Sequence, residues 1–317
     1  MTAASGATTK PGLAVDDTAR DATPPAKRAR GEFLFFALRS KKFLISAVIL
    51  VVLACVAVFG PIIDSTDPVG CSTGVSGACP PMVHPTLDPG NWFGTTFFGD
   101  DVFAQFANGL RASFFVGFLG GGLGAVIGMA VGFVAGYRGG WIDEILNMVT
   151  NVFLVIPTLA VLLVITSYLQ ARGVMFEAVF IGATSWPWAA RAIRAQTFSL
   201  RSRDFIDLAK LSGRSGWKVI AFEIAPNMSS YLFLTYILLF GGAILIAASL
   251  DFIGLGPTGG MSLGLMMFES VTYGAALQLG IWWWFIPPGI GIIATVGSLY
   301  VMNVGLDEIF NPKLREI

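Results

Sequence analysis

The sequence predicts an all-α integral membrane protein with six transmembrane helices and both termini on the cytoplasmic side. Three observations predict it. Of 317 residues, 55% are hydrophobic and only 13% charged, with a mean hydropathy of +0.72, far from the balance of a soluble domain. The apolar residues gather in windows that meet the roughly 20 residues a bilayer span needs: about Phe43 to Ile63, Ala112 to Gly136, Ile142 to Ser167, Phe176 to Ile193, Ser229 to Ser249 and Leu277 to Val304. Of the 20 Lys and Arg, all but Arg111 and Arg172 fall in the leading tail, in the loops after the second and fourth windows, or at the end. Basic residues near span ends stay in the cytoplasm, so the orientation follows. The formal net charge of zero conceals a polarised molecule and gives no reason to expect a nucleic-acid partner.

Residues 1–30, rich in Ala, Thr, Asp and Pro and ending in KRAR, read as a disordered cytoplasmic tail. The first apolar run starts too late for a cleaved signal peptide and is long enough to span. Residues 31–42, GEFLFFALRSKK, suit a short interfacial helix and equally the cytoplasmic end of the first span. The six-helix domain then occupies 43–317.

Residues 64–110 form the expected external loop, polar and rich in Pro, Gly and Thr. An external, oxidising location allows a Cys71 to Cys79 disulfide, stiffening the loop by about 2 to 3 kcal/mol; two free thiols are the alternative. The lone His84 has no Cys, His or carboxylate cluster around it at metal spacing. Neither metal nor cofactor is expected.

In the second span Gly120, Gly124, Gly128, Gly132 and Gly136 recur every four residues. That spacing lines one helix face and lets another helix approach closely. Pro157 and Pro187 are expected to bend the third and fourth spans. Charges are nearly absent from the cores: Asp143 and Glu144 lie at a helix entrance and Glu177 near an external end. A charge at mid-bilayer costs about 2.5 to 3.5 kcal/mol, and ion-coupled carriers retain a few for function. With none in mid-span, the driving energy is expected to enter elsewhere. The Gly-rich stretch 251–276 suits non-helical backbone that lines a cavity or is covered by protein, and Trp282 to Trp284 suit an aromatic belt.

The stretch Trp186 to Asn227 is the polar island of the second half, with Arg191, Arg194, Arg201, Arg203, Lys210, Arg214 and Lys218. Residues 194–228 are read as a cytoplasmic loop. Asp204 to Ser212 is amphipathic, Gly213 offers a break, and Trp217 to Ile224 forms a second apolar-faced stretch before Pro226, which predicts two short helices joined at a glycine. Phe205, Leu208, Leu211, Val219 and Ile220 would waste apolar surface in water, so the island is expected to dock. No lysine follows a glycine, so no G-x-x-x-x-G-K-[ST] phosphate loop exists, and no catalytic centre is expected.

Asp207, Leu208 and Ala209, then Gly213, then Pro226 and Asn227 resemble the EAA loop of ABC-importer permeases. WFGTTFFGDDVFAQFANGLRASF (Trp92 to Phe114), GYRGGWIDEIL (Gly136 to Leu146), AARAIR (Ala189 to Arg194), DFIGLGP (Asp251 to Pro257) and WWWFIPPG (Trp282 to Gly289) extend the likeness from about Gly31 to Leu314. The chain is thus similar to the C-type permease of dipeptide and oligopeptide import systems. The resemblance implies a type I ABC-importer permease fold in a prokaryotic cell membrane. It implies as partners a second permease, two cytoplasmic ATPases, an extracytoplasmic substrate-binding protein and a peptide substrate in transit. It also implies a non-catalytic subunit whose coupling loop is carried by Asp204, Asp207, Leu208, Ala209, Gly213, Trp217, Pro226 and Asn227. The chain departs from the family pattern at Asp207 and Leu208 (Glu and Ala in the family), at Asp100 in the family's GRD, at Met148 and Asn151, and at Asp307. The alternatives are an ion-coupled secondary transporter and an ABC permease for a non-peptide cargo such as nickel chelates or heme.

Overall fold

The computed structural model describes residues 40–71, 74, 79–86, 92–169, 172–258, 260–273 and 280–310, at 169 the backbone alone. The expected tail 1–30, residues 31–39 of the expected interfacial helix and the closing residues 311–317 lie outside the described residues. Eleven helices follow in order among them: α1 (Lys41–Ile63), α2 (Val102–Arg138), α3 (Gly140–Val155), α4 (Thr158–Leu169), α5 (Val174–Leu200), α6 (Asp204–Leu211), α7 (Gly216–Val219), α8 (Ala225–Asn227), α9 (Ser229–Leu250), α10 (Leu263–Thr272) and α11 (Trp282–Phe310). Two π-helical turns, Ile220–Ile224 and Asp251–Leu255, precede α8 and follow α9.

The fold is all-α, and α1, α2, α9 with its π turn, and α11 are each long and apolar enough to cross a membrane. The pair α3 and α4 adds a fifth crossing if it is one span bent by 75°. Helix α5 has the length but carries Glu177, Arg191 and Arg194. The outward faces of these helices are apolar, as with Val51 and Ile62 on α1, and lipid is the solvent in which such faces are stable.

Several boundaries differ from the sequence expectation, each for a local reason. Helix α2 begins at Val102 rather than Ala112, because Asp101 caps it: its carboxylate accepts from the N–H groups of Phe103 (2.6 Å) and Ala104 (3.0 Å). The loop expected at 64–110 therefore ends earlier, before Val102. Lys41 and Lys42 belong to the first turn of α1, where Ser40 is the N-cap, so this end of 31–42 is the start of a span. The bend at Pro157 is present as the break between α3 and α4, whereas Pro187 sits inside an unbroken α5. Helix α5 runs on to Leu200, past Ile193, so Arg194 lies in a helix and not in a loop. The stretch 251–276 is helical at Asp251–Leu255 and Leu263–Thr272. Non-helical backbone is present at 256–258 and 260–262, between the π turn, where Gly254 has φ +84°, and α10, whose Leu263, Gly264, Met266 and Ser270 are buried.

The glycine stripe of α2 lies along α5. A Cβ on Gly120 would sit 3.0 Å from the Ala178 carbonyl, on Gly128 2.7 Å from Ala189 Cβ, on Gly132 2.8 Å from the Ala190 carbonyl and on Gly136 2.7 Å from the Arg194 carbonyl. Gly124 is looser, its nearest contact being the Gly182 carbonyl at 3.5 Å. The seam is reciprocal, since a Cβ on Gly182 of α5 would meet Leu123 Cβ at 2.7 Å. Such spacing leaves no room for side chains between the two backbones.

Next to the start of α2, Cys71 and Cys79 are joined by a disulfide, with Cα atoms 5.9 Å apart. The Cys71 N–H donates to Asp100 Oδ1 at 2.7 Å, which ties the bridge to the cap of α2. The tryptophans correct the belt reading: only Trp282 is exposed. Trp283 and Trp284 are buried, because their indole N–H groups donate to the Thr95 carbonyl (3.1 Å) and to Gln105 Oε1 (3.0 Å). A buried indole needs such a partner.

Gly132→Leu forces α2 and α5 apart and is expected to cost about 3 kcal/mol, lowering Tm in detergent by roughly 5 to 10 °C. Gly297→Ala, where the added carbon meets nothing within 4 Å, is expected to leave Tm unchanged or raise it. Equal effects from the two would refute the seam.

Candidate functional site

The polar island folds into a two-helix knob at one end of the α2–α5 seam. Asp204 and Asp207 occupy the first turn of α6 and Lys210 its last, an arrangement that complements the helix dipole. The helix stops in a Schellman motif: the Arg214 N–H reaches the Ala209 carbonyl (3.3 Å) and the Gly213 N–H the Lys210 carbonyl (3.0 Å). The motif requires a left-handed residue, and Gly213 supplies it with φ +75°. Pro226 has no N–H to return to the Phe222 carbonyl, and the chain widens into the π turn Ile220–Ile224 just before it.

One face of the knob is fixed to the bundle. Ile206, Ala209, Val219, Ile220 and Ile224 are buried in a single apolar cluster with Phe133 of α2 and Ala189 and Ile193 of α5. Val219 and Ile220, expected on the docking face, are thus internal. Within the knob the Arg214 guanidinium pairs with Glu223, and the Asn227 amide donates to the Glu223 carbonyl at 2.6 Å. The other face is open: Phe205, Leu208 and Leu211 recur three apart on α6, with Leu208 65% and Leu211 84% exposed. Trp217 is 67% exposed and Phe222 also stands outside. Asp207 bonds Lys210 Nζ at 2.9 Å, an exposed i,i+3 pair, which contributes a few tenths of a kcal/mol. Pro226 lies at the surface.

The basic residues are less free than their number suggests. Arg194 makes a two-pronged bond with Asp143, Nε to Oδ1 at 2.5 Å and Nη2 to Oδ2 at 2.7 Å, joining α5 to α3. Arg191 donates to Asn151 Oδ1 at 2.5 Å. Arg201 donates to the Gly136 (3.3 Å) and Tyr137 (3.2 Å) carbonyls and lies over the Phe198 ring. Those carbonyls have no partner within their own helix, so Arg201 caps α2 from the root of the knob. A Cβ on Gly139 would lie 2.7 Å from its Nη1, and glycine leaves that space. Among the seven basic residues, Arg191, Arg203, Lys210, Arg214 and Lys218 are exposed, and of these Arg191, Lys210 and Arg214 have side-chain partners.

A separate cleft of about 440 Å³ opens between α3, α4, α5, α9 and α11. Phe153, Trp188 and Tyr300 supply aromatic walls, Gly242 leaves space, and Thr184 and Ser185 bring hydroxyls. The Ser185 hydroxyl has no hydrogen-bond partner. Gly260 to Gly264 has the G-x-S-x-G spacing of a nucleophile elbow, but Ser262 is the N-cap of α10, and the only histidine, His84, packs on Trp283 with ring centroids 4.6 Å apart. Ser262 has no base. No group of three metal-ligating side chains occurs among the described residues.

Residues 128–316 match the family described as binding-protein-dependent transport system inner membrane component. The chain is 28% identical over 278 residues to the dipeptide transport system permease protein DppC of Alkalihalophilus pseudofirmus, covering 87% of this chain and 88% of that one. It is 29% identical over 281 residues to a putative peptide transport system permease protein of Brucella suis, covering 88% and 90%. With the oligopeptide transport system permease protein OppC of Mycobacterium bovis it shares 28% over 229 residues, covering 72% and 77%.

Gly213→Val places a β-branched residue at φ +75° and is expected to cost about 1 to 2 kcal/mol locally, exposing 211–216 to proteolysis in an otherwise folded chain. Gly213→Asn tolerates the left-handed conformation and is expected to resist protease like the wild type. Equal cleavage of both variants would remove the Schellman constraint from the account.

Proposed function

We propose, for a chain that belongs to the family of binding-protein-dependent transport system inner membrane components, that it is the permease subunit of an ATP-driven peptide importer. The observation that carries the coupling role is the two-faced knob. Its inner face is packed into α2 and α5, and its outer face presents Phe205, Leu208, Leu211 and Trp217. A partner that grips the outer face moves the α2–α5 pair as one body. The partners on this reading are two ATPase subunits at the knob, a second permease beside the chain and an extracytoplasmic binding protein at the outer loops. The chain itself is non-catalytic. The lack of a phosphate loop anywhere in the sequence supports the assignment of ATP hydrolysis to other chains.

The cleft between α3, α4, α5, α9 and α11 is the surface we assign to the translocation path. Its aromatic walls and few hydroxyls suit a cargo of varied side chains bound weakly enough to leave. Peptides as cargo follow from the relatives' names together with this lining.

Leu208→Glu with Leu211→Glu changes only exposed side chains, so insertion and Tm are expected to stay as in the wild type. ATP-driven peptide uptake in proteoliposomes and co-purification of the ATPase are expected to fall at least about tenfold, the loss of roughly 1.4 kcal/mol or more of contact. Uptake and co-purification at wild-type levels would sink the coupling assignment.

A further inference from the structure

We propose that Arg191, held by Asn151 where two cavities meet, receives the carboxylate end of the cargo, so that peptides with a free C-terminal acid cross in preference to peptides whose end is blocked. This rests on the peptide-importer reading and on the cleft between α3, α4, α5, α9 and α11 as the path. A second cavity, of about 620 Å³, lies along α3. It adjoins the cleft, because Ile156 lines both. Its polar wall is Glu144, Asn147 and Asn151, spaced three and four apart and therefore aligned on one helix face. On α5 the cleft is lined by Thr184, Pro187 and Trp188, and Arg191 continues that row at the same spacing. The Arg191 guanidinium crosses to α3 and donates from Nη2 to Asn151 Oδ1 at 2.5 Å. It thus stands beside both cavities.

The charge of Arg191 is not compensated within the chain. A guanidinium has five N–H donors; the one bonded here meets a neutral amide, and among the described residues Arg191 makes no ion pair. Arg194, on the next turn of α5, differs in holding the Asp143 carboxylate with two prongs. Arg191 follows Ala190, whose carbonyl lies against Gly132. It is therefore level with the last two turns of α2, a helix long and apolar enough to cross a membrane. An ionisable side chain at such a level faces a water-filled cavity or an opposite charge. Here the cavities hold the water and the cargo brings the charge.

A carboxylate suits this site better than a neutral end group. Its two oxygens match the planar fork of a guanidinium, and a charge-assisted bond is about twice as strong as a neutral one. The Asn151 oxygen fixes the guanidinium without neutralising it and leaves the remaining donors for the cargo. Among the described residues that line the two cavities, the charged one is Glu144, about 10 Å from Asn151 by helix rise. Glu144 repels a carboxylate, and the aromatic and apolar walls of the cleft do not select between ends. Arg191 is thus the place along the two cavities where a carboxylate is held.

The test is ATP-driven uptake by the complete transporter in proteoliposomes. A tripeptide library is offered below saturation as free C-terminal acids and again as C-terminal amides, with uptake read by mass spectrometry. The acid-to-amide ratio is compared between proteins, so selection by a binding protein is common to all and cancels. Arg191→Gln is expected to lower the ratio about tenfold or more, as loss of a hydrogen bond between charged groups does, while amide uptake stays near the wild-type level. Arg191→Lys keeps the charge and is expected to keep most of the preference. Asn151→Asp retains the tie between α3 and α5 but gives the guanidinium an internal carboxylate, and is expected to lower the ratio as Arg191→Gln does. A purely structural role for Arg191 predicts the opposite, because an ion pair ties the helices more firmly and leaves the ratio unchanged. An unchanged ratio in Asn151→Asp would overturn the assignment. So would an equal fall for acids and amides in Arg191→Gln, which a carboxylate of the second permease or a lipid phosphate on the guanidinium would produce. If the wild type takes up neither library, the peptide reading fails and the assignment falls with it.

Discussion

Close backbone contact between α2 and α5, permitted by glycine at every fourth position of α2, is the constraint on which the rest of the structure depends. The contact runs from Gly120 against Ala178 at one end to Gly136 against Arg194 at the other. Both ends of α5 are therefore placed by it. One end carries Ala178 into an apolar cluster with Leu250 of α9, and the other carries the root of the knob to Tyr137 and Phe133. A side chain at Gly128, Gly132 or Gly136 would displace both helices, because interiors packed at this spacing do not absorb extra volume locally.

Polar contacts then convert that seam into a rigid frame. Arg194 with Asp143 fixes α3 to α5, and Arg201 satisfies the last carbonyls of α2. Lys42 pairs with Glu308, joining the start of α1 to the end of α11. At the end where α2 begins the same logic applies to Trp283, Trp284 and Gln105, which stitch α11 and α2 to the capping loop. A membrane protein gains little from apolar contact between helices, since lipid is as apolar as leucine. Close backbone packing and a few charge-assisted bonds therefore carry much of the specificity.

Much of this was legible in the chain. The period of the glycines marked a helix face, Gly213 marked a helix end, and the sorted basic residues marked the polar island. Three things were not legible, for physical reasons. Trp283 and Trp284 look like belt residues because the sequence does not show that Thr95 and Gln105 wait for their N–H groups. Arg191, Arg194 and Arg201 look like surface charge because their acceptors, including bare carbonyls of α2, are remote in sequence and belong partly to the backbone. Val219 and Ile220 looked exposed because an amphipathic pattern gives the angle between two faces and not which one meets the bundle.

The central claim is that the knob is a rigid extension of the α2–α5 pair. Pulsed electron–electron resonance between spin labels at Val126→Cys on the exposed face of α2 and Leu211→Cys on α6, in a Cys55→Ala chain, measures it directly. The account predicts one narrow distance distribution, which Gly132→Leu broadens. A broad or multiple distribution in the otherwise unaltered chain would mean that the knob hangs on a flexible tether, and would contradict it.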